Sequence, residues 1–300
     1  MNTMKQNNVK LIKVHKDYLA VATMILLAVC TIAGILSLNF EHSYDVVNQY
    51  GQTVEMYGYG SYAHDTYFQA PISIGSDICI LLVLVPMFAY SYYRYRKGGS
   101  TIARLRLISV YGVAVYYAAS IVLGLTYNRL FLVYVALFSV SLFGIFRQIA
   151  GMEVKAASSP TRGLKIFLLL SGMALFVAWL PDVIPTILNG TPLSTAGIYH
   201  TCVTYVLDMG IISPLCFVCI YLLKKKNSTG VILQAILLRL CIMVGIMMLP
   251  QMVCQAASGC ELPLVALITK SFSFMLLGGA AFYFNRKLYG ELGKSEKEKL

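Results

Sequence analysis

The sequence predicts an all-α polytopic transmembrane bundle of eight spans, on three observations. Hydrophobic residues make up 58% of the 300-residue chain and charged residues only 12%, about half the charge of a soluble domain. Eight apolar runs, each close to the roughly 20 residues needed to cross hydrocarbon, alternate with short polar connections. Of the 24 Lys and Arg residues, 21 fall in five stretches: Lys5–Lys16, Arg94–Arg106, Arg147–Lys165, Lys224–Lys226 and Arg286–Lys299. These occupy both ends and every second connection. Positive charge stays on the cytoplasmic side, so both termini are expected inside, in a cell (plasma) membrane.

The elements follow in order. Lys5, Lys10, Lys13 and Lys16 precede span one, Leu19–Leu38, which is too long for a signal-peptide core and lacks a small-x-small cleavage site. Span two is Ile72–Tyr92. Spans three (Leu107–Thr126) and four (Leu130–Phe146) are joined only by Tyr127-Asn128-Arg129, so they must be adjacent and antiparallel. Span five, Ile166–Pro185, ends in Trp179-Leu180-Pro181-Asp182-Val183-Ile184-Pro185, where two prolines interrupt regular hydrogen bonding. Spans six to eight read Thr204–Leu223, Val231–Pro250 and Leu262–Phe284. Helix is required throughout, because unpaired backbone in lipid costs several kcal/mol per group and these runs suit no barrel. The longest polar stretch, Asn39–Pro71, is too short for a separate core, so residues 1–300 form one integral membrane domain.

The halves, about 1–150 and 160–300, resemble each other. Span two carries Asp77 near its start, Pro86 in its middle and Arg94, Arg96 and Lys97 at its end; span six carries Asp208, Pro214 and Lys224–Lys226. With four spans per half, a parallel 4+4 repeat would relate them by an axis along the membrane normal. The alternative is that helices running inward share an acid at the start and a basic stop at the end.

The pI near 9.2 reflects topology and attraction to anionic lipid rather than nucleic-acid binding, because the basic residues are dispersed over five stretches. Cys216 and Cys219 form a C-x-x-C inside a continuous helix, which argues against a redox motif. No Walker loop, nucleophile elbow or H-E-x-x-H is present, and neither a metal nor a cofactor is expected.

Polar groups at membrane depth are functional candidates by default. Asp77 and Asp208 sit near helix starts, where capping competes with a binding role. Asp182 lies at the proline-broken end of span five, beside Trp179, the chain's only Trp. It could cap a short interfacial helix running to Asn189 with Trp179 as a belt residue, or serve a site. Lys270 and Arg239 lie within spans eight and seven. The economical arrangement is an outward-opening polar cavity containing Asp77, Asp182 and Asp208 with Lys270 and Arg239, in which at least one acid meets a base, with simple structural pairing as the alternative. The first outer loop runs Tyr57-Gly58-Tyr59-Gly60-Ser61-Tyr62-Ala63-His64-Asp65. Its glycines permit tight turns and its tyrosines amphipathic packing, which suits a lid over the helix ends and makes Tyr62 and Asp65 candidates.

The Tyr-Gly-Tyr-Gly-Ser-Tyr loop leading to Gly75-Ser76-Asp77, the run Tyr127–Tyr134, the Trp179–Pro185 motif and Leu207-Asp208-Met209-Gly210 with Pro214 together resemble a family of uncharacterised bacterial multi-pass membrane proteins. The resemblance covers most of the chain. It implies a bacterial cell membrane and no particular activity. Three functions are therefore expected in turn: binding or translocation of a small polar or amphiphilic solute; an enzyme at the outer interface using Asp182 with Asp65 or His64; or a non-catalytic partner subunit or sensor. In a Cys-free background, an impermeant thiol reagent outside the cell should label cysteines placed at Ser61 and Thr195 but not at Ser158 or Ser228. Labelling at Ser158 would reverse the topology.

Overall fold

A computed structural model describes residues 17–154, 160–193, 196–260 and 264–297, apart from the side chains of 264–270, 295 and 297. Its helices are α1 (Tyr18–Ile35), α2 (Gln69–Cys79), α3 (Val85–Gly98), α4 (Thr101–Gly124), α5 (Phe131–Ile149), α6 (Arg162–Val177), α7 (Leu180–Asn189), α8 (Val203–Leu207), α9 (Ser213–Lys224), α10 (Ser228–Ala257) and α11 (Leu264–Lys297). Among the described residues, seven helices or continuous helix pairs are long and apolar enough to cross a membrane. They comprise α1, α2–α3, α4, α5, α6–α7, α8–α9 and α10.

α4 and α10 are the centre. α4 packs on α3, α5, α8 and α10, while α10 packs on α2, α4, α9 and α11. α1 closes one flank against α5 and α2, and α6 closes the other against α9. Both central helices start alike. Gly99 (φ 56°) and Lys226 (φ 53°) turn the chain through the left-handed region, and the next residues, Ser100 and Asn227, cap α4 and α10 by accepting from Ala103 N–H (3.1 Å) and Thr229 N–H (2.8 Å).

Two helix pairs are each joined by a π turn, Ile80–Leu84 between α2 and α3 and Asp208–Ile212 between α8 and α9. Each leads into a proline at the start of the next helix, Pro86 or Pro214. Proline brings no N–H and its ring crowds the carbonyl four residues back; a wider turn relieves that contact while the chain stays helical. Span five breaks where its prolines suggested, and α7 carries Asp182 in its first turn and ends at Asn189.

An addition to the all-α expectation lies between α1 and α2. β1 (Tyr44–Val47) and β2 (Thr53–Met56) form an antiparallel hairpin in the register Tyr44↔Met56. Its return segment, through the single turn Gly60–Tyr62, buries Tyr57 and Tyr62 against the helix ends.

Close helix approach rests on small residues, as is usual where lipid supplies no drive between helices. Gly245 and Gly278 meet where α10 crosses α11. A side-chain carbon at Gly75 would overlap the backbone of Pro250 and Gln251 in α10, whereas one at Gly279 would meet nothing. Gly75→Val should therefore lower the thermal unfolding midpoint in detergent, at a cost of about 1–3 kcal/mol. Gly279→Ala should be neutral or slightly stabilising. Equal effects of the two would mean that α2 and α10 are not in contact at Gly75.

Candidate functional site

The carboxylates of the two π-broken helices are both buried, and one helix supplies a donor to each. Asp77 has 0% exposure. It accepts from Tyr117 of α4 on Oδ1 and from Tyr62 of the hairpin return on Oδ2, both at 2.5 Å. Asp208 is 5% exposed and accepts from Tyr116 of α4 on Oδ1 at 2.9 Å and from Trp179 Nε1 on Oδ2 at 3.2 Å. Adjacent residues on a helix point about 100° apart, so Tyr116 and Tyr117 let α4 serve the π-broken segments on either side of it.

The fold positions these donors from several elements. Tyr62 is fixed because its turn is clamped to the end of α1: Ser61 N–H donates to Ser37 Oγ and Tyr57 O–H to Ser37 O, each at 2.8 Å. Gly60 sits at φ 63° hard against Ser37, where any side chain would be both strained and obstructed. On α1, Gly34 leaves room for Asp77 and the Tyr62 hydroxyl; a side chain there would run into both. Trp179 stacks on Tyr205 with ring centres 4.3 Å apart and planes 23° apart. Tyr205 O–H in turn donates to Asp182 Oδ2 at 3.0 Å. Asp182, Trp179 and Asp208 thus form one connected group, through contacts that sequence reasoning had not specified.

Several expectations are corrected. Asp77 and Asp208 do not cap their helices: α2 begins at Gln69 and α8 at Val203, so each carboxylate lies more than a turn in. Asp77 is held apart from the linked pair Asp182 and Asp208, and the three do not share a contact with Arg239. Arg239 Nε donates to Ser109 Oγ at 3.4 Å and Nη1 approaches Met87 Sδ at 3.2 Å. Among the described residues no carboxylate lies within ion-pair reach of Arg239. The Lys270 side chain falls outside the described residues. Among those residues the one ion pair joins Arg147 to Asp17 at 3.5 Å, at the basic end of the bundle. There Asp17 also accepts from Gln148 Nε2 at 2.6 Å and caps α1.

Asp65 ties the hairpin return to the rest of the fold. Its Oδ1 accepts from Thr126 N–H at 2.8 Å and Tyr199 O–H at 2.9 Å, while Oδ2 is buried without a partner. Burial pushes this carboxyl up to about 6, against the pull of the Thr126 and Tyr199 hydrogen bonds. Burial likewise raises the Tyr199 phenol, helped by the neighbouring Asp65 charge. His64 is not part of this cluster; its Nδ1 meets Tyr44 O–H at 3.2 Å on the exposed side of the loop. A wide crevice of about 700 Å³ opens beside β2, bordered by Glu55, Tyr67, Phe68, Gly197 and Cys260, apart from the three embedded carboxylates.

Sequence reasoning missed Tyr116 and Tyr117. The available signal was a pair of adjacent tyrosines inside an apolar span, in a chain with 21 Tyr against 14 Phe. The buried Asp17, which lies among the basic stretches, was missed as well. The chain matches no family model, no curated protein and no solved structure.

The Asp65 shift has a pH consequence. A carboxyl whose folded value lies above its unfolded value takes up a proton on folding, so its penalty is absent below about pH 4, grows through the window to about 6 and is complete above it. Two units correspond to at most about 3 kcal/mol. Hydrogen exchange, corrected for its intrinsic pH dependence, should show the segment from Thr53 to Tyr67 better protected at pH 4.5 than at pH 7.5. Asp65→Asn should flatten the difference; an unchanged pH dependence in that variant would assign it to another group.

Proposed function

We propose that this protein binds a small polar or amphiphilic solute and carries it across a bacterial cell membrane, and that Asp77 and Asp208 form its working site. The observation supporting this reading is that two helices, each interrupted by a π turn before a proline, carry buried carboxylates with no cationic side chain beside them among the described residues. A lone carboxylate at membrane depth is costly enough to demand compensation. Phenol and indole donors supply part of it, and a proton or a bound cation must supply the rest. Such a group is suited to exchanging a proton or cation with a solute. π turns are common at functional positions, and broken helices line the binding sites of many transporters.

The full architecture in this reading has eight spans, with α11 as the last, both termini cytoplasmic, and a parallel 4+4 repeat. The packing supports the repeat. α3 lies on α4 as α9 lies on α10, α4 on α5 as α10 on α11, and α2 on α10 as α8 on α4. Counted from the caps Ser100 and Asn227, Ser109 matches Ile236 and Gly112 matches Arg239. The close approach of Gly112 to Ile236 and the contact of Ser109 with Arg239 are then the same contact seen from each half. A twofold axis between α4 and α10 would produce such an exchange, which supports the repeat. Membership in the bacterial family suggested by the motifs belongs to the same proposal.

The enzyme alternative has less support, because Asp65 is engaged by Thr126 and Tyr199 whereas His64 faces away and Asp182 contacts Tyr205. The partner-subunit alternative has one observation in its favour. No residue of α7 is buried, and Ile187 and Leu188 are 72% and 79% exposed.

The test uses purified protein in nanodiscs, screened for thermal stabilisation by amino acids, sugars, nucleosides and amphiphilic amines. One class should raise the unfolding midpoint, by about 2.7 kcal/mol at a hundredfold excess over Kd, and should enter proteoliposomes. Asp77→Asn and Tyr117→Phe should weaken both effects. A protein that responds to no class, or a response intact in both variants, would overturn the reading.

A further inference from the structure

Two arginines meet at the basic end of the bundle. Arg106 stands on α4 immediately before the apolar run that begins at Leu107, and Arg239 lies about two turns into the run that begins at Val231 of α10. Both helices start at that end, and side chains lean toward the N-terminus of their helix. The Arg239 guanidinium is therefore drawn back toward Arg106, and the two charges act on each other. α11 brings a phenol to both. The Arg106 guanidinium carbon lies 4.9 Å from the centre of the Tyr289 ring, and the Tyr289 hydroxyl stands close to Ser109 and Arg239. What Arg239 receives in return is weak: a hydroxyl at 3.4 Å from Ser109 and a thioether at 3.2 Å from Met87. Two polar atoms here have no partner at all. They are the Tyr289 hydroxyl and Asn285 Oδ1, in residues 9% and 7% exposed, four apart on one face of α11. Buried polar atoms without partners are uncommon and point to a guest.

We propose that Arg106 and Arg239 bind a phosphate group between α4 and α11, with the Tyr289 O–H as a third donor. Charge calls for an anion. Among the described residues no carboxylate pairs with either arginine; the one ion pair joins Arg147 to Asp17. Of the chain's 13 acidic residues, Glu261 and Glu298 lie outside the described ones. Glu261 precedes α11 at its far end, and Glu298 follows Lys297, which ends α11 roughly 12 Å beyond Tyr289 at 1.5 Å per residue. Geometry selects among anions. A guanidinium is a planar fork whose paired N–H groups match two phosphate oxygens, so two forks and a hydroxyl suit a tetrahedral oxyanion with several acceptors. Both arginines are half-buried, which leaves each an open edge for the phosphate to approach while burial shields the contact from bulk water. The Asn285 amide, one turn deeper on α11, has an NH₂ to offer as well as its oxygen. The same oxygens are presented by the head group of an anionic lipid, for which basic pockets between spans are a known resting place, and by free phosphate. The site is separate from Asp77 and Asp208 and independent of the carrier reading.

The experiment measures unfolding midpoints of the full-length protein, delipidated in dodecyl maltoside, a detergent without phosphate. Short-chain phosphatidylglycerol or inorganic phosphate is added at fixed ionic strength against a chloride reference. One of the two should raise the midpoint saturably. Saturation by phosphatidylglycerol where inorganic phosphate does little identifies a lipid head group; saturation by inorganic phosphate alone identifies a soluble source. Arg106→Gln should weaken the apparent affinity about tenfold or more, as for a lost hydrogen bond from a charged donor, and Tyr289→Phe about fivefold, as for a lost neutral one. Tyr289→Phe keeps the ring under Arg106 and deletes an unpartnered hydroxyl, so the midpoint in chloride should stand unchanged or rise. Lys97→Gln, which removes an exposed charge at the same end, should leave the affinity unchanged. The site is overturned if neither probe stabilises the native protein, or if the affinity is unchanged in Tyr289→Phe. A loss in Lys97→Gln equal to that in Arg106→Gln overturns it too, by assigning the response to general surface charge. So does a response that emerges only in Glu298→Gln, which would show that Glu298 already supplies the negative charge.

Discussion

The fold is organised by the need to hold two carboxylates where water cannot. Each sits within a helix interrupted by a π turn, and each receives two hydrogen bonds from side chains rather than from its own helix terminus. Hydrogen bonds to a charged acceptor contribute about 1.5–3 kcal/mol each. Removing one donor strands a buried oxygen, which costs more than the bond itself provides. Much of the surrounding architecture follows from this. α4 is central because it presents adjacent phenols in two directions. α1 has Gly34 because a larger residue would displace Asp77. The hairpin return folds onto α1 because Tyr62 must reach inward.

The two carboxylates face different surroundings. Asp77 is enclosed by hydroxyls that can reverse their roles as donor and acceptor. Asp208 has one such hydroxyl, one obligate donor and a small space lined mainly by hydrocarbon. The same residue type in the two π-broken helices therefore has different chemistry available to it, set by the second donor and by the room left around the carboxylate. Arg239 contacts Ser109 and Met87 and pairs with neither carboxylate.

How much of this could be read from the chain depended on range. Span positions were legible because hydropathy is local, and the breaks near Pro86, Pro181 and Pro214 because a missing N–H acts within one turn. The depth of Asp77 was legible only roughly, since Gln69 opens α2 ahead of the apolar run that starts at Ile72, whereas α8 begins within one residue of the expected start of span six. The donors were not legible. Tyr117 lies 40 residues from Asp77 and Tyr116 lies 92 from Asp208, and no periodicity connects residues on different helices. The expectation that embedded acids would find embedded bases considered charge alone. A phenol or indole hydrogen bond can bear part of the same load without a second ion to desolvate, and that is what Asp77 and Asp208 use among the described residues.

The sequence separation of the Asp77 donors also bears on biogenesis. Tyr62 precedes Asp77 by 15 residues and Tyr117 follows it by 40. A nascent chain emerges in order, so α2 meets the bilayer before α4 has been made. Asp77 must therefore pass into lipid with at least one oxygen uncovered, and it acquires its second phenol only when the third span arrives and packs. Membrane insertion of α2 and assembly of the bundle are thus separate events for this residue, and the hairpin return that carries Tyr62 is the part of the chain placed to chaperone it through the interval.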